Sequence, residues 1–423
     1  MTYYRFPEKK NWKICFAMFL FMELFLTRSG MMGQLIGFLP TQILMYGIIL
    51  LAGLVFLAVN RRNVKQILCD GRVTAAIVVA LVMLLPMVVK QDWKMMYVTL
   101  LMGALFAVLL SYVTTLREAS EYYVKILCAL CVYSLIATYL LRRLPDAGIL
   151  QVPRFANAVG NEYYNFGLCF VSIHHVASRN LGIFREPGVY QFFLMIALYL
   201  NNYCVDWKKE RHMWLANGIL AVTMLSTMAT GGVVELGLFV VAVFFDKKMY
   251  RDKRLRFLAI ALTIAACVVV VVSFVQKNSI YSFIFNTILE KFIYRTDSVT
   301  ERADAIRANI QFFLGHPVFG ARFADVLHSV NNNTSSTLIL YAACGFLVGT
   351  LNVFGWIALV WDRERRLWAN LAMLMILFMS FNTQNLTWDL YFWLFPMLAL
   401  LERGLPMAQK QIAQRSEKGR KEC

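Results

Sequence analysis

Residues 34–59 read QLIGFLPTQILMYGIILLAGLVFLAV, a run of 26 residues without a charged side chain. An α-helix needs about 20 apolar residues to cross a bilayer. Similar runs recur along the 423-residue chain, which is 59% hydrophobic and only 16% charged, whereas a soluble domain is about 25% charged. The composition therefore predicts an all-α, polytopic membrane helix bundle that forms a single integral membrane domain (1–423).

Twelve apolar runs are predicted to span the membrane, some of them with help from their flanks. They lie near 14–27, 34–59, 73–89, 95–115, 122–141, 187–205, 212–229, 232–245, 257–275, 334–360, 367–382 and 385–401.

The net charge of +17, from 42 Lys and Arg against 25 Asp and Glu, is explained by topology. If the N-terminus is cytoplasmic, about two thirds of the cations fall in inner segments, including the basic tail 402–423, as the positive-inside rule requires. The pattern predicts that both termini are cytoplasmic, and it removes the need for nucleic acid as a partner.

Two connections on the predicted outer face are much longer than the others, 142–186 and 276–333. Loops of this length in a compact protein are usually functional or disordered, and their varied composition favours function. In the first loop, residues 166–177 are apolar but too few to span, so we expect a re-entrant or interfacial segment. In the second, residues 279–295 predict an interfacial helix, followed by an amphipathic helix that ends at Gly315.

Arginine dominates the cations of these two loops, nine of eleven. The planar guanidinium binds phosphate or carboxylate in a bidentate manner. Contacts with lipid headgroups or neighbouring acids are the alternative explanation. The candidates for anion binding are Arg179, Arg185, Arg302 and Arg322.

Three acids lie within apolar runs, each near the predicted outer end of its helix: Glu23, Glu235 and Asp389. Acids in spans usually face a cavity or the bundle interior. They predict a polar cavity in the outer half of the bundle, the alternative being interfacial acids that reach the headgroups. His328 precedes a polar run and is a candidate general base, although a lone histidine is more often structural.

Several nucleotide and metal motifs are missing. The sequence contains no Walker A motif, no dinucleotide glycine motif, no HExxH and no Asp-x-Asp pair. We therefore expect no cofactor and no metal-bound nucleotide-sugar site.

Three segments resemble the bacterial O-antigen polymerase and O-antigen ligase superfamily of lipopolysaccharide and capsule assembly. RNLGIFREPGVYQFFLMIAL (179–198) is similar to a family stretch in which an arginine and a glycine precede a proline that starts a helix. ERADAIRANIQFFLGHPVFGARF (301–323) is similar to an arginine-led amphipathic helix that ends in a turn with proline and glycine. NNNTSSTLILYAACGFLVG (331–349) is similar to the entry into the next span. The matched positions are Arg179, Gly182, Pro187, Arg302, Pro317, Gly320 and Gly345.

The chain departs from the family in two places. Ligases typically have a His-Asn-type dipeptide where this chain has Thr334 and Ser335, which favours a polymerase unless His328 substitutes for that histidine. Many members have Ser-Arg-Gly where this chain has Ala229-Thr230-Gly231-Gly232, so a role of that arginine does not carry over.

The resemblance implies a metal-independent glycosyltransferase in the bacterial cytoplasmic membrane. Its substrate would be an oligosaccharide repeat unit on polyprenyl (undecaprenyl) pyrophosphate, and its partners the lipid bilayer, a flippase and a chain-length regulator. The loop arginines would hold pyrophosphate, and Glu186 or His328 would deprotonate the acceptor hydroxyl. The alternatives are a ligase that moves finished polymer to an acceptor, and a lipid-linked oligosaccharide flippase. A flippase usually has related halves and deep ionisable residues.

Overall fold

The computed structural model describes residues 10–404 apart from 62–63, 69, 158–159, 174–178, 255, 258–260, 262–271, 273–296 and 331–332. The helices of this part are α1 (Lys10–Leu26), α2 (Met32–Ile36), α3 (Phe38–Val59), α4 (Val64–Leu68), α5 (Gly71–Lys90), α6 (Met95–Val113), α7 (Leu116–Ile136), α8 (Arg143–Asp146), α9 (Pro187–Tyr203), α10 (Glu210–Ser226), α11 (Thr230–Asp246), α12 (Asp297–Gly315), α13 (Phe323–His328), α14 (Ser336–Val360), α15 (Leu367–Asn382) and α16 (Tyr391–Ala399). A π-helical turn (Ala137–Leu141) follows α7, and a second one (Leu400–Gly404) follows α16.

The helical membrane architecture is confirmed at a coarse level. Five segments of the described residues are long and apolar enough to cross a membrane: α3, α5, α6, α14, and α7 with its continuation to Asp146. Two shorter apolar helices lie at Ile14–Leu26 and Leu367–Asn382. The ninth predicted span, 257–275, falls largely outside the described residues. The total of twelve spans therefore stays a prediction.

The centre of the bundle is formed by α9 and α16. Every residue of α9 from Val189 to Asn202 is buried, and so is every residue of α16. Because no face of either helix is polar or exposed, both are enclosed by other helices, among them α6, α7, α14 and α15. By contrast, α3 and α5 expose many leucine and valine side chains on one side, as expected for helices that face lipid.

Helix α14 is broken at Gly345, which has φ +78° and ψ −174°. The turn after α12 fits into the break: Phe346 N donates to Pro317 O at 2.8 Å, and Ala321 N donates to Ala342 O at 2.7 Å. Gly320 completes the junction, because a Cβ on it would lie 2.4 Å from the carbonyl carbon of Ala343. Three of the positions that carry the family resemblance thus join the second large loop to the core.

The first large loop contains a small antiparallel sheet that the sequence analysis did not predict. Its strands β1 (Arg154–Ala156), β2 (Glu162–Asn165) and β3 (Phe170–Ser172) pair in the order β1-β2-β3. The sequence analysis expected residues 166–177 to form a re-entrant or interfacial segment, and their contact with the membrane stays a prediction. Only β3 and a turn occupy the described part of the 166–177 segment, because Phe170 and Val171 bury their side chains in sheet clusters.

The second large loop contributes α12 and α13. The end of α12 at Gly315 confirms the predicted boundary. The interfacial helix predicted at 279–295 lies outside the described residues.

Candidate functional site

A polar cavity of about 300 Å³ opens at one end of the bundle. Four chain segments meet there: the α1–α2 connection, the residues just before α9, the segment from α13 to the start of α14, and the loop between α15 and α16. The lining residues are Arg28, Ser29, Arg185, Glu186, Leu327, Asn333, Thr334, Gln384, Asn385, Trp388 and Asp389. The volume is at the lower end of the range for small-molecule sites.

Backbone pairing brings the first connection to the start of α9. Gly30 forms an isolated antiparallel bridge with Phe184. Met31 N donates to Ile183 O at 2.8 Å, and Arg185 N donates to Ser29 O at 2.9 Å. The side chains of two residues far apart in the sequence, Arg28 and Arg185, therefore line the same cavity.

Asp389 fixes the opposite side of this connection. It is 1% exposed, and its carboxylate accepts hydrogen bonds from the hydroxyls of Thr27 and Ser29 and, at 3.1 Å, from Ser29 N. A buried carboxylate with these donors is well satisfied. Its position predicts a structural role: it holds the turn that carries Arg28.

Arg28 lies flat on an aromatic residue of the same cavity. Its guanidinium carbon is 3.8 Å from the ring centroid of Trp388 and 5.2 Å from that of Phe38, both within the range of a cation–π contact. Burial lowers the pKa of Arg28, the neighbouring Asp389 raises it, and the charge of Arg185 lowers it. Two arginines that repel each other in a partly buried cavity favour the binding of an anion between them.

Arg185 and Glu186 form an ion pair at the N-terminal end of α9. The Nε of Arg185 is 3.3 Å from Oε1 of Glu186, and the Glu186 side chain is 44% exposed. Glu186 precedes Pro187, the first residue of α9. Proline is favoured at this position because the N–H that it lacks would have no acceptor in the first turn of a helix. An accessible carboxylate in the cavity wall can take a proton from a bound hydroxyl.

Amide and hydroxyl side chains form the remaining wall. Asn333 exchanges two hydrogen bonds with Asn309, at 2.8 and 3.0 Å. Thr334 is buried, and its hydroxyl has no hydrogen-bond partner among the described residues. Ser336 Oγ donates to Gln384 O and accepts from Leu386 N, which fixes the loop before α16.

Arg179 does not line the cavity. Its guanidinium donates from Nε to Thr227 O at 3.2 Å and from a terminal nitrogen to Met228 O at 2.8 Å. These carbonyls follow the last turn of α10, where a cation satisfies free acceptors. Burial lowers the pKa of Arg179, whereas the charge of Glu186 raises it. The structure gives Arg179 a packing role, and its predicted role in pyrophosphate binding remains a prediction.

Arg302, Arg322 and His328 are exposed, and none of them lines the cavity. The charge of Arg302 acts instead on the carboxyl of Glu235.

The three acids predicted to share a cavity have different surroundings. Only Asp389 lines it. Glu23 and Glu235 are both 0% exposed, and neither carboxylate has a hydrogen-bond partner within the described part of the chain.

Arg28 and Trp388 line the cavity but were not predicted from the sequence. Arg28 is the one cation in the short connection between the first two predicted spans, and that isolation is the signal that could have identified it. Within the residues that are described, no group of three His, Cys, Asp or Glu side chains is arranged to hold a metal ion.

No protein-family model, curated protein or solved structure matches this chain. The resemblance to the polymerase and ligase superfamily therefore stays a prediction, which the cavity can be used to test.

Proposed function

We propose that this protein is a polysaccharide polymerase, which joins oligosaccharide repeat units carried on polyprenyl pyrophosphate at the outer face of the bacterial cytoplasmic membrane. The proposal includes the twelve-span topology with both termini in the cytoplasm. The observation that carries it is the cavity in which Arg28 and Arg185 stand beside Glu186 at one end of an apolar helix bundle.

Pyrophosphate suits this cavity because two arginines offer it guanidinium donors, and the carboxylates of Glu186 and Asp389 bring the formal charge of the lining to zero. The guanidinium of Arg28 is oriented by Trp388, and that of Arg185 by its ion pair with Glu186. Arginine forks bind phosphate oxygens in pairs. The polyprenyl tail would lie along the exposed apolar helix faces, in the bilayer.

The proposed reaction assigns a role to each of these side chains. The hydroxyl oxygen of the acceptor sugar attacks the anomeric carbon of the donor, and the bond from that carbon to the phosphate oxygen breaks. The electron pair leaves with the polyprenyl pyrophosphate, whose charge Arg28 and Arg185 stabilise. The Glu186 carboxylate takes the proton of the hydroxyl. Asp389 acts as a positioning residue because its oxygens are already engaged with Thr27 and Ser29.

The test is Arg185→Ala in cells that lack the native gene, with Arg154→Ala as the matched control. Arg154 lies in the same loop and is exposed on β1, outside the cavity. We expect the Arg185 variant to reach the membrane in normal amount but to leave single repeat units, because charge stabilisation of the leaving group is lost. The control variant should make long polymer.

The accumulated lipid distinguishes the alternatives. Untransferred long polymer would indicate a ligase, and repeat units trapped on the inner leaflet would indicate a flippase. Normal polymer length from Arg28→Ala and Arg185→Ala alike would refute the assignment of the cavity.

A further inference from the structure

Three helices bring polar side chains together inside the bundle, just below the cavity. They are Gln191 of α9, Glu235 of α11 and Ser380 of α15. Glu235 and Ser380 are 0% exposed and Gln191 is 2% exposed. Gln191 follows the cavity residue Glu186 by five positions, and Ser380 precedes the cavity residue Gln384 by four.

Two glycines make room for this cluster. A Cβ on Gly231 would lie 3.2 Å from Nε2 of Gln191 and 3.6 Å from Oε1 of Glu235. A Cβ on Gly232 would lie 3.0 Å from Cγ of Gln191. The amide and the carboxyl therefore share the space that the glycine pair leaves open.

The polar atoms of the cluster lack partners. Nε2 of Gln191, both carboxyl oxygens of Glu235 and Oγ of Ser380 have no hydrogen bond to any described residue. The amide and the hydroxyl face the carboxyl without an aligned hydrogen bond. Buried polar groups in folded proteins are nearly always paired, by water where protein partners are missing.

The charge of Glu235 also needs compensation. No described residue forms an ion pair or hydrogen bond with this carboxyl, and Arg302, whose charge acts on it, is exposed on α12. The other neighbours, Gln191 and Ser380, are uncharged. An ionised carboxylate buried without a contacting cation is costly.

We propose that Gln191, Glu235 and Ser380 form an internal site for water and a proton. About one or two water molecules would bridge the amide, hydroxyl and carboxyl, as buried waters do at sites with two to four polar partners. Glu235 carries the proton that neutralises it. This site does not depend on pyrophosphate binding in the cavity.

Infrared difference spectroscopy on the full-length protein in detergent tests the proposal. The wild type minus Glu235→Gln spectrum should contain one carboxylic-acid C=O band, and this band should shift promptly in D₂O because water reaches the group. Without such a band Glu235 is ionised, and a band that does not exchange in D₂O means the site is dry. Either result overturns the proposal.

Labelling with a hydrophobic carbodiimide tests whether Glu235 is neutralised by a proton or by a bound sodium ion. A protonated carboxyl adds across the C=N bond of the reagent, its proton passes to nitrogen, and a stable adduct appears by mass spectrometry. We expect an adduct on Glu235, equal with and without sodium, and none on Asp389, whose oxygens accept hydrogen bonds. Protection by sodium would overturn the proton assignment, as would the absence of both the adduct and the infrared band.

Discussion

Replacing Gly345 by alanine should destabilise the junction between the second large loop and the core. The backbone of Gly345 has φ +78° and ψ −174°, a region that is essentially restricted to glycine. The new Cβ would lie 2.1 Å from Val318 O and 2.5 Å from Val318 C. Because these are backbone atoms, a side-chain rotation cannot relieve the overlap.

Two effects set the magnitude. The disfavoured backbone conformation costs about 1–3 kcal/mol. Opening the break far enough for a methyl group would also weaken the hydrogen bonds from Phe346 N to Pro317 O and from Ala321 N to Ala342 O, each with a net value of about 0.5–1.5 kcal/mol. We therefore expect a loss of roughly 2–6 kcal/mol in the free energy of unfolding.

Thermal unfolding of the purified protein in detergent measures this loss, with Gly47→Ala as the matched control. Gly47 lies within α3, and a Cβ on it meets nothing within 4 Å. Since alanine is the better helix former by about 1 kcal/mol, the control should be unchanged or slightly stabilised. Equal melting temperatures for the two variants would refute the reasoning about the helix break.

Three further substitutions test the cavity and its supports. Asp389→Ala should lower the free energy of unfolding by about 3–5 kcal/mol because it leaves buried donors, Ser29 N among them, without an acceptor. Asp389→Asn should lower it clearly less. Equal shifts of the melting temperature for the two variants would argue against the hydrogen-bonding role of Asp389. Arg179→Ala should lower the melting temperature, since the loss of two hydrogen bonds to carbonyls costs about 1–3 kcal/mol in total. An unchanged melting temperature together with lost activity would instead support the predicted role of Arg179 in substrate binding. Gly188→Ala should leave the protein stable but shorten the polymer that it makes, because the new Cβ would lie 2.3 Å from Nε2 of Gln384 and displace that side chain in the cavity. Full-length polymer from this variant would show that Gln384 does not contact the substrate.

The parts of the fold that could be predicted are those set by local composition. Most of the long apolar run 34–59 forms one long helix, α3 (Phe38–Val59), because a backbone in an apolar environment satisfies its hydrogen bonds internally. The end of α12 at Gly315 was also predictable, since a glycine and a following proline stop a helix locally. The β-sheet of the first large loop was not, because its strands have only three or four residues and their buried side chains, such as Tyr163 and Phe170, pack against Met31, which is distant in the sequence.

The same distinction applies to the site. Arg185 was a candidate because arginine dominates the cations of the two large loops, and Glu186 because it adjoins Arg185 in the stretch that resembles the polymerase and ligase superfamily. Arg28 was missed because nothing near it in the chain indicates that Trp388 will lie 3.8 Å away. Similarly, the three intramembrane acids look alike in the sequence, yet within the described residues only Asp389 accepts hydrogen bonds and lines the cavity.

The amino-acid sequence by itself determined the class of this protein, a helical bundle with apolar helices long enough to cross a membrane, because hydropathy and helix length act within single segments. Only the tertiary structure decided which polar groups meet. The bridge between Gly30 and Phe184 joins residues more than 150 positions apart, and such pairing depends on the packing of the whole bundle. The bridge brings Arg28 close to Arg185. The packing of α9, α11 and α15 buries Glu235 beside Gln191 and Ser380.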